Sequence, residues 1–103
     1  MITKDVGLLP EILLNANPKR KRWSIQFLPA SVDAGNMGLV FVAKGFIPKA
    51  TVGDPQQGEV LNSGAAIEQI EQFPGDPSVY KGSVWVISDT AAQTINYDEE
   101  TGE

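Results

Sequence analysis

The chain has 103 residues, 42% of them hydrophobic, and its 8 basic and 13 acidic side chains give a net charge of −5. This length and apolar content predict one domain with one modest core and exclude a disordered polyelectrolyte, while the acidic balance disfavours nucleic acid as the main partner. The absence of cysteine and histidine excludes disulfides, thiolate nucleophiles, the common zinc sites and histidine-dependent hydrolase triads.

Residues 1–17 are rich in aliphatic side chains that follow no helical or strand period. These side chains are Leu8, Leu9, Ile12, Leu13 and Leu14. Pro10 and Glu11 interrupt them, and Asp5 lies where a secretory signal carries positive charge, so we expect neither a signal peptide nor a membrane span. The segment is predicted to be either an arm laid on a neighbouring subunit or an edge strand of the same domain.

A run of basic residues follows the turn signal Asn17-Pro18. It comprises Lys19, Arg20, Lys21 and Arg22, half of the basic residues in the chain. One interpretation is a partner-binding surface for an anionic group, with phosphate, a nucleic-acid backbone or an acidic protein surface as candidates. The favoured interpretation is a solvated turn whose side-chain stems cover the adjacent strand, because no aromatic platform or second basic cluster supports nucleic-acid binding. If the run does bind a partner, we expect mainly an acidic protein.

Three segments carry the hydrophobic signal of β-strands. Residues 22–27 alternate between polar and hydrophobic side chains, which places Trp23, Ile25 and Phe27 on one buried face. Residues 39–43 and 84–87 are apolar at every position, a pattern typical of strands covered on both faces, either at the centre of a sandwich or against a partner subunit. We expect Trp23, Ile25, Phe27 and Trp85 to fill the core.

Two Gly-Asp-Pro triplets, at residues 53–55 and 75–77, resemble a repeated motif. They predict turns that need no ligand, because aspartate bonds nearby backbone groups and proline fixes φ.

Hydrophobic residues recur at helical spacing between residues 64 and 73. They are Ala66, Ile67, Ile70 and Phe73. Pro74 ends the segment, and a helix this short is marginal without packing. The prediction is therefore either one short helix or an irregular β-edge segment.

Residues 93–97 alternate again, with Ile95 and Tyr97 predicted to face inward. This segment is predicted to form a terminal hairpin with residues 83–88 across a turn at residues 89–92. The acidic residues that follow are Asp98, Glu99, Glu100 and Glu103. They form either a frayed, solubilising terminus or the partner of the basic run in a second copy.

These patterns together predict an all-β fold, namely a single small antiparallel β-sandwich or barrel of jelly-roll type, with or without the short helix at residues 64–73. The predicted organisation is the arm or edge strand at 1–17, a β-sandwich domain at 18–100 and an acidic tail at 101–103. We predict no catalytic, cofactor-binding or metal-binding residues, and hence neither an enzyme nor a cofactor-binding protein.

Two blocks of the sequence resemble a pattern found in small virion structural proteins of tailed bacteriophages. In the first block an apolar segment leads to an Asn-Pro-x-Arg turn and a strand containing Ile-Gln. The matching residues are Ile12, Leu13, Leu14, Asn17, Pro18, Arg20, Ile25 and Gln26. In the second block an aromatic residue, x-Gly and an apolar strand ending in Ser-Asp-Thr precede an acidic tail. The matching residues are Tyr80, Gly82, Val84, Trp85, Ile87, Ser88, Asp89, Thr90, Glu99 and Glu100.

The resemblance implies a compact β-sandwich that attaches to a viral particle. The favoured hypothesis is a non-enzymatic capsid decoration or cement protein, present as a homotrimer or other homo-oligomer, that binds the outside of the expanded head and stabilises contacts between major capsid subunits. The alternative is a head-fibre, tail or receptor-binding component whose loops at residues 29–38 and 48–64 contact a host surface polymer. A generic β-sandwich interaction module outside viruses is the third hypothesis.

In both viral hypotheses the protein is made in the host cytoplasm and located in the virion. We expect the major capsid protein and further copies of the chain as partners, and no nucleic acid, membrane or small-molecule substrate.

Overall fold

The computed structural model describes residues 2–102, which form eight β-strands and no helix. The strands are β1 (Ile2–Val6), β2 (Glu11–Leu14), β3 (Arg20–Phe27), β4 (Val40–Lys44), β5 (Glu59–Leu61), β6 (Ala66–Ile70), β7 (Val84–Ser88) and β8 (Gln93–Thr101). The predicted all-β class is confirmed. Within this described part of the chain, no helix is available to span a membrane.

The strands form two four-stranded antiparallel sheets. Sheet I has the order β1-β8-β3-β6 and sheet II the order β2-β7-β4-β5. The first strand pairs with the eighth, the second with the seventh, the third with the sixth and the fourth with the fifth, as in a long hairpin rolled into a sandwich. This is the strand order of a jelly roll, so the predicted sandwich of jelly-roll type is confirmed.

Only β4 and β5 are consecutive strands that also pair with each other. The predicted terminal hairpin is therefore wrong: β7 pairs with β2 and β4 in sheet II, whereas β8 pairs with β1 and β3 in sheet I. The turn at residues 89–92 carries the chain from one sheet to the other. Because β7 and β8 lie in opposite sheets, Val86 of β7 and Ile95 of β8 enter the same core from its two sides.

The segment at residues 64–73 contains an edge strand rather than a helix, so the helical alternative is wrong. Strand β6 pairs with β3 and places Ile67 opposite Ile25. Ile67 is buried whereas Ala66 and Ile70 are exposed, so the side chains follow the two-residue period of a strand. Pairing with β3 supplies backbone hydrogen bonds that a helix of two turns could not match in stability.

The core lies between the two sheets, and both contribute to it. Trp23, Ile25 and Phe27 are fully buried, as predicted, and so is Ile95, while Tyr97 packs against the core from its margin. The remaining core residues are Val6, Leu14, Val40, Val42, Leu61, Ile67, Val79, Val84 and Val86.

The two apolar segments form the two central strands of sheet II, β4 and β7. Phe41 and Ala43 alternate along β4 with the core residues Val40 and Val42, yet they are also fully buried. The prediction of a strand covered on both faces is therefore confirmed for β4. Trp85 differs from its prediction, because it is only half-buried and lies outside the core cluster.

Residues 2–17 supply one outer strand to each sheet. Strand β1 pairs with β8, and β2 pairs with β7. At the other end of the chain, strand β8 runs to Thr101, and the Gly102 N–H donates to the carbonyl of Lys19 (2.7 Å). Glu103, part of the predicted acidic tail, lies outside the described residues.

The two tryptophans make different contributions to stability. Trp23→Ala is expected to lower the free energy of unfolding by about 3–5 kcal/mol, because it empties a fully enclosed volume. Trp85→Ala is expected to lower the free energy of unfolding by roughly 1–2 kcal/mol, because the Trp85 side chain buries less apolar surface in the folded protein than that of Trp23. Urea unfolding followed by far-ultraviolet circular dichroism measures both, and equal losses would contradict the difference in burial.

Candidate functional site

The basic run at residues 19–22 leads into strand β3 through a β-bulge. Arg20 lies opposite Thr101 and Arg22 lies opposite Glu100, so Lys21 is an extra residue in the pairing with β8. The bulge reverses the side-chain alternation at this point. As a result, Arg20 faces inward like Trp23, although three positions separate them, while Lys21 remains exposed.

Arg20 is fully buried and bonded to four acceptors. Its Nε donates to Glu99 Oε2 (2.6 Å), and one terminal nitrogen donates to the carbonyls of Tyr80 (2.8 Å) and Gly82 (2.9 Å). The other terminal nitrogen donates to the carbonyl of Asn15 (2.7 Å). The guanidinium therefore joins β3, β8, the β2–β3 loop and the β6–β7 loop, and it is not exposed to a partner.

Arg22 lies on the outer face of sheet I, between two carboxylates. It donates to Asp98 Oδ2 (2.9 Å) and Glu68 Oε2 (3.1 Å). Two hydrogen bonds raise the pKa of Arg22, the larger effect coming from Asp98 and the smaller from Glu68. The hydrogen bond from Arg22 in turn lowers the pKa of Asp98. Both carboxylates compete with any anionic partner for this guanidinium.

The acidic residues near the C-terminus are part of the sheet. Asp98, Glu99 and Glu100 all lie in β8, so the interpretation of these three as a frayed terminus is wrong. Their pairing with the basic run occurs within one chain: Glu99 binds Arg20 and Asp98 binds Arg22. Two of the four predicted partner-binding residues are thus engaged internally.

The turn before the basic run is held by Asn17. Its side-chain oxygen accepts the Lys19 N–H (3.0 Å) and its carbonyl accepts the Arg20 N–H (3.2 Å). Its own N–H donates to the carbonyl of Lys81 (2.8 Å), and its side-chain amide donates to Thr101 Oγ1 (2.9 Å). Asn17 therefore fixes the position from which Arg20 enters the interior.

The second block begins with an aromatic residue that packs against glycines. A Cβ at Gly82 or Gly45 would collide with the Tyr80 hydroxyl, so both positions need the absence of a side chain. The Tyr80 N–H donates to Gln69 Oε1 (2.7 Å), and the same oxygen accepts the indole N–H of Trp23 (2.8 Å). One amide oxygen thus satisfies two donors of the interior.

The Ser-Asp-Thr end of the second block holds the loop at residues 28–39. Ser88 Oγ donates to the carbonyl of Leu39, and Asp89 Oδ1 accepts the Leu39 N–H, both at 2.8 Å. The same loop is anchored by Asn36, which is buried and exchanges hydrogen bonds with both backbone groups of Thr94. These contacts give the motif a structural role.

Three lysines remain exposed or half-buried around one shallow pocket, which we call the basic corner: Lys19, Lys21 and Lys81. The pocket has a volume of about 310 Å³ and is also lined by Pro18, Pro74 and Gly75. Among residues 2–102, Glu71 is the one carboxylate that lines it. Sequence reasoning missed Lys81 because it is isolated in the sequence. The hydrogen bond from Asn17 to its carbonyl, and those from Arg20 to the carbonyls on either side of it, bring it next to the run.

Asp76 shapes the loop that carries Pro74 and Gly75. Its carboxylate accepts the N–H of Gln72 (3.0 Å) and of Ser78 (2.9 Å), and these two bonds hold the pKa of Asp76 below its ordinary value. Asp54, in the other Gly-Asp-Pro triplet, accepts the Gln56 N–H (2.8 Å) in the same way. The prediction that both triplets form turns through their own backbone is confirmed.

Two further results complete the description of the site. Among residues 2–102, no three acidic, histidine or cysteine side chains are grouped to hold a metal ion. No protein-family model matches the chain, and no curated protein or solved structure is significantly similar to it.

Arg20 is expected to be the most sensitive position of the basic run. Arg20→Ala should lower the free energy of unfolding by about 3–5 kcal/mol, because Glu99 and three carbonyls lose their donor. Arg20→Lys keeps the charge but not the planar fork, so it should also be destabilised. Denaturant unfolding measures both.

Lys21→Ala is the matched control for Arg20, since its side chain is exposed on the neighbouring position. It should change the free energy of unfolding by no more than about 0.5 kcal/mol. If the Arg20 and Lys21 variants were equally stable, the buried guanidinium would not be a structural centre.

Acid is expected to weaken the fold through Asp76 and Asp98. Both carboxylates have a pKa held below the ordinary 3.8, so the unfolded chain binds their protons more readily. Their contribution to stability is complete above pH 3.8 and is lost as the pH falls through their lower folded-state values. Urea midpoints measured across this range should fall with acidification, and less steeply in Asp76→Asn. An equal slope in that variant would contradict the role of Asp76.

Proposed function

We propose that the chain is a non-enzymatic capsid decoration or cement protein of a tailed bacteriophage. It binds the outside of the expanded head, as a homotrimer or other homo-oligomer, and bridges neighbouring major capsid subunits.

The observation that carries the proposal is the convergence of the two resemblance blocks on one side chain. Asn17 and Arg20 belong to the first block, and Tyr80 and Gly82 belong to the second. Arg20 donates to the carbonyls of both second-block residues and to Glu99 of the acidic segment. The two blocks are therefore parts of one structural unit, and their joint occurrence supports the resemblance more than either block does alone.

The surface supports a protein partner more than a saccharide. Sugar recognition favours exposed aromatic rings beside polar groups. Phe46 and Phe73 are the aromatic side chains exposed among the described residues, and no exposed aromatic lies on the outer face of sheet I. Other exposed hydrophobic side chains are more numerous, and they include Leu8 and Leu9 in the β1–β2 loop and Met37 in the β3–β4 loop. Such side chains suit contacts with other protein subunits.

Co-sedimentation tests the proposal. The purified protein is mixed with expanded, undecorated heads of the encoding virus, and in parallel with host cells. Saturable binding to heads is expected, with a stoichiometry that identifies the symmetry position, and analytical ultracentrifugation gives the oligomeric state of the free protein. Binding to cells alone would replace the proposal with host recognition, and binding to neither would refute attachment to the virion surface.

A further inference from the structure

We propose that the basic corner docks an acidic peptide segment that also carries an apolar side chain. Three observations support this inference: the fixed backbone of the three lysines, the distribution of charge over the molecule, and two exposed apolar side chains in an adjoining groove. We take this segment to belong to a protein of the capsid shell, and in that one respect the inference rests on the proposed function.

The first observation is that the backbone beneath each lysine is fixed. The carbonyl of Lys19 accepts the Gly102 N–H (2.7 Å), that of Lys21 accepts the Glu71 N–H (2.8 Å), and that of Lys81 accepts the Asn17 N–H (2.8 Å). Three separate chain segments are thereby held around one pocket. Binding a ligand there orders side chains but not backbone, which lowers the entropic penalty of association.

The second observation concerns charge. Lys4, Arg20 and Arg22 are each bound to carboxylates, whereas Lys19, Lys21 and Lys81 form no ion pair with any residue from 2 to 102. The whole chain carries −5, so an acidic segment is repelled by much of the surface and attracted to this corner. Lys44 and Lys49 also form no ion pair among residues 2–102, but neither lines the pocket. The corner is therefore favoured because three such lysines act together there.

The third observation is an adjoining groove of mixed character, which shares one wall with the pocket and contains two exposed apolar side chains among charged and polar ones. It has a volume of about 320 Å³, and both cavities are lined by Lys21, Glu71 and Pro74. Phe73 and Ile70 line the groove and are 58% and 44% exposed. A peptide whose carboxylates reach the lysines could bury an apolar side chain against these two residues.

Nucleic acid is a poorer fit to the same surface. A phosphate backbone needs a basic stripe along its length, whereas the three lysines cluster around one pocket. Single-stranded binding also relies on several aromatic platforms, and Phe73 is the one aromatic residue in either cavity.

A peptide titration tests the inference independently of the virus. The probe is a short fluorescein-labelled peptide of glutamates around a central leucine, and fluorescence anisotropy measures its binding to the full chain. We expect saturable binding that weakens as salt rises from low to physiological concentration. The variant Lys19→Gln/Lys21→Gln should bind on the order of tenfold more weakly.

Matched controls identify the site and the chemistry. Lys44→Gln/Lys49→Gln removes the same charge from two exposed lysines elsewhere and should bind like wild type. Phe73→Ser, and a peptide with serine in place of leucine, should each weaken binding. If the two lysine variants lost peptide affinity equally, the attraction would be general rather than specific to the corner, and the inference would be overturned. Tighter binding of a labelled oligothymidine than of the peptide would also overturn it.

The two proposals fail in different ways. If the peptide binds at the corner but the protein does not bind to heads, the docking site is supported and the capsid shell is refuted as the source of the docked segment. If Lys19→Gln/Lys21→Gln binds to heads as wild type does, the decoration role is supported, but the corner is not the surface that docks onto the shell.

Discussion

The buried guanidinium of Arg20 is the contact on which the arrangement of this end of the sandwich depends. It is fully buried, and it donates hydrogen bonds to one carboxylate and three backbone carbonyls. The carboxylate is that of Glu99, and the carbonyls are those of Asn15, Tyr80 and Gly82. An unpaired charge in this position would be strongly destabilising, so the loops that supply the acceptors cannot move independently. The interaction gives the loops between β2 and β3 and between β6 and β7 one fixed relation to sheet I.

The bulge at Lys21 makes that contact compatible with a hydrophobic core. Without the extra residue, strict alternation from Trp23 would turn Arg20 outward and Lys21 inward. With it, Arg20 and Trp23 both face inward, and Gln69 accepts the indole N–H of Trp23 and the backbone N–H of Tyr80. Burial of apolar surface and satisfaction of polar groups are thus achieved by the same local irregularity.

The same geometry separates the structural from the exposed charges of the basic run. Arg20 and Arg22 are bound to carboxylates of β8 and β6, whereas Lys19 and Lys21 face solvent and are joined there by Lys81. Residues of the phage-like pattern, such as Asn17, Gly82 and Asp89, have structural roles that explain their spacing. The docking surface that we propose, the basic corner, instead consists of three lysines that lie outside this pattern.

The sequence by itself determined the all-β class, the inward positions of Trp23, Ile25 and Phe27, and the aspartate turns, because alternation and turn chemistry depend on residues close together in the chain. The tertiary structure alone decided that β7 and β8 lie in opposite sheets, that residues 66–70 pair with β3, and that Arg20 points inward. It also brought Lys81 to the site. Strand partners and bulges are chosen by backbone groups and apolar surfaces that are distant in the sequence, so no local pattern records them.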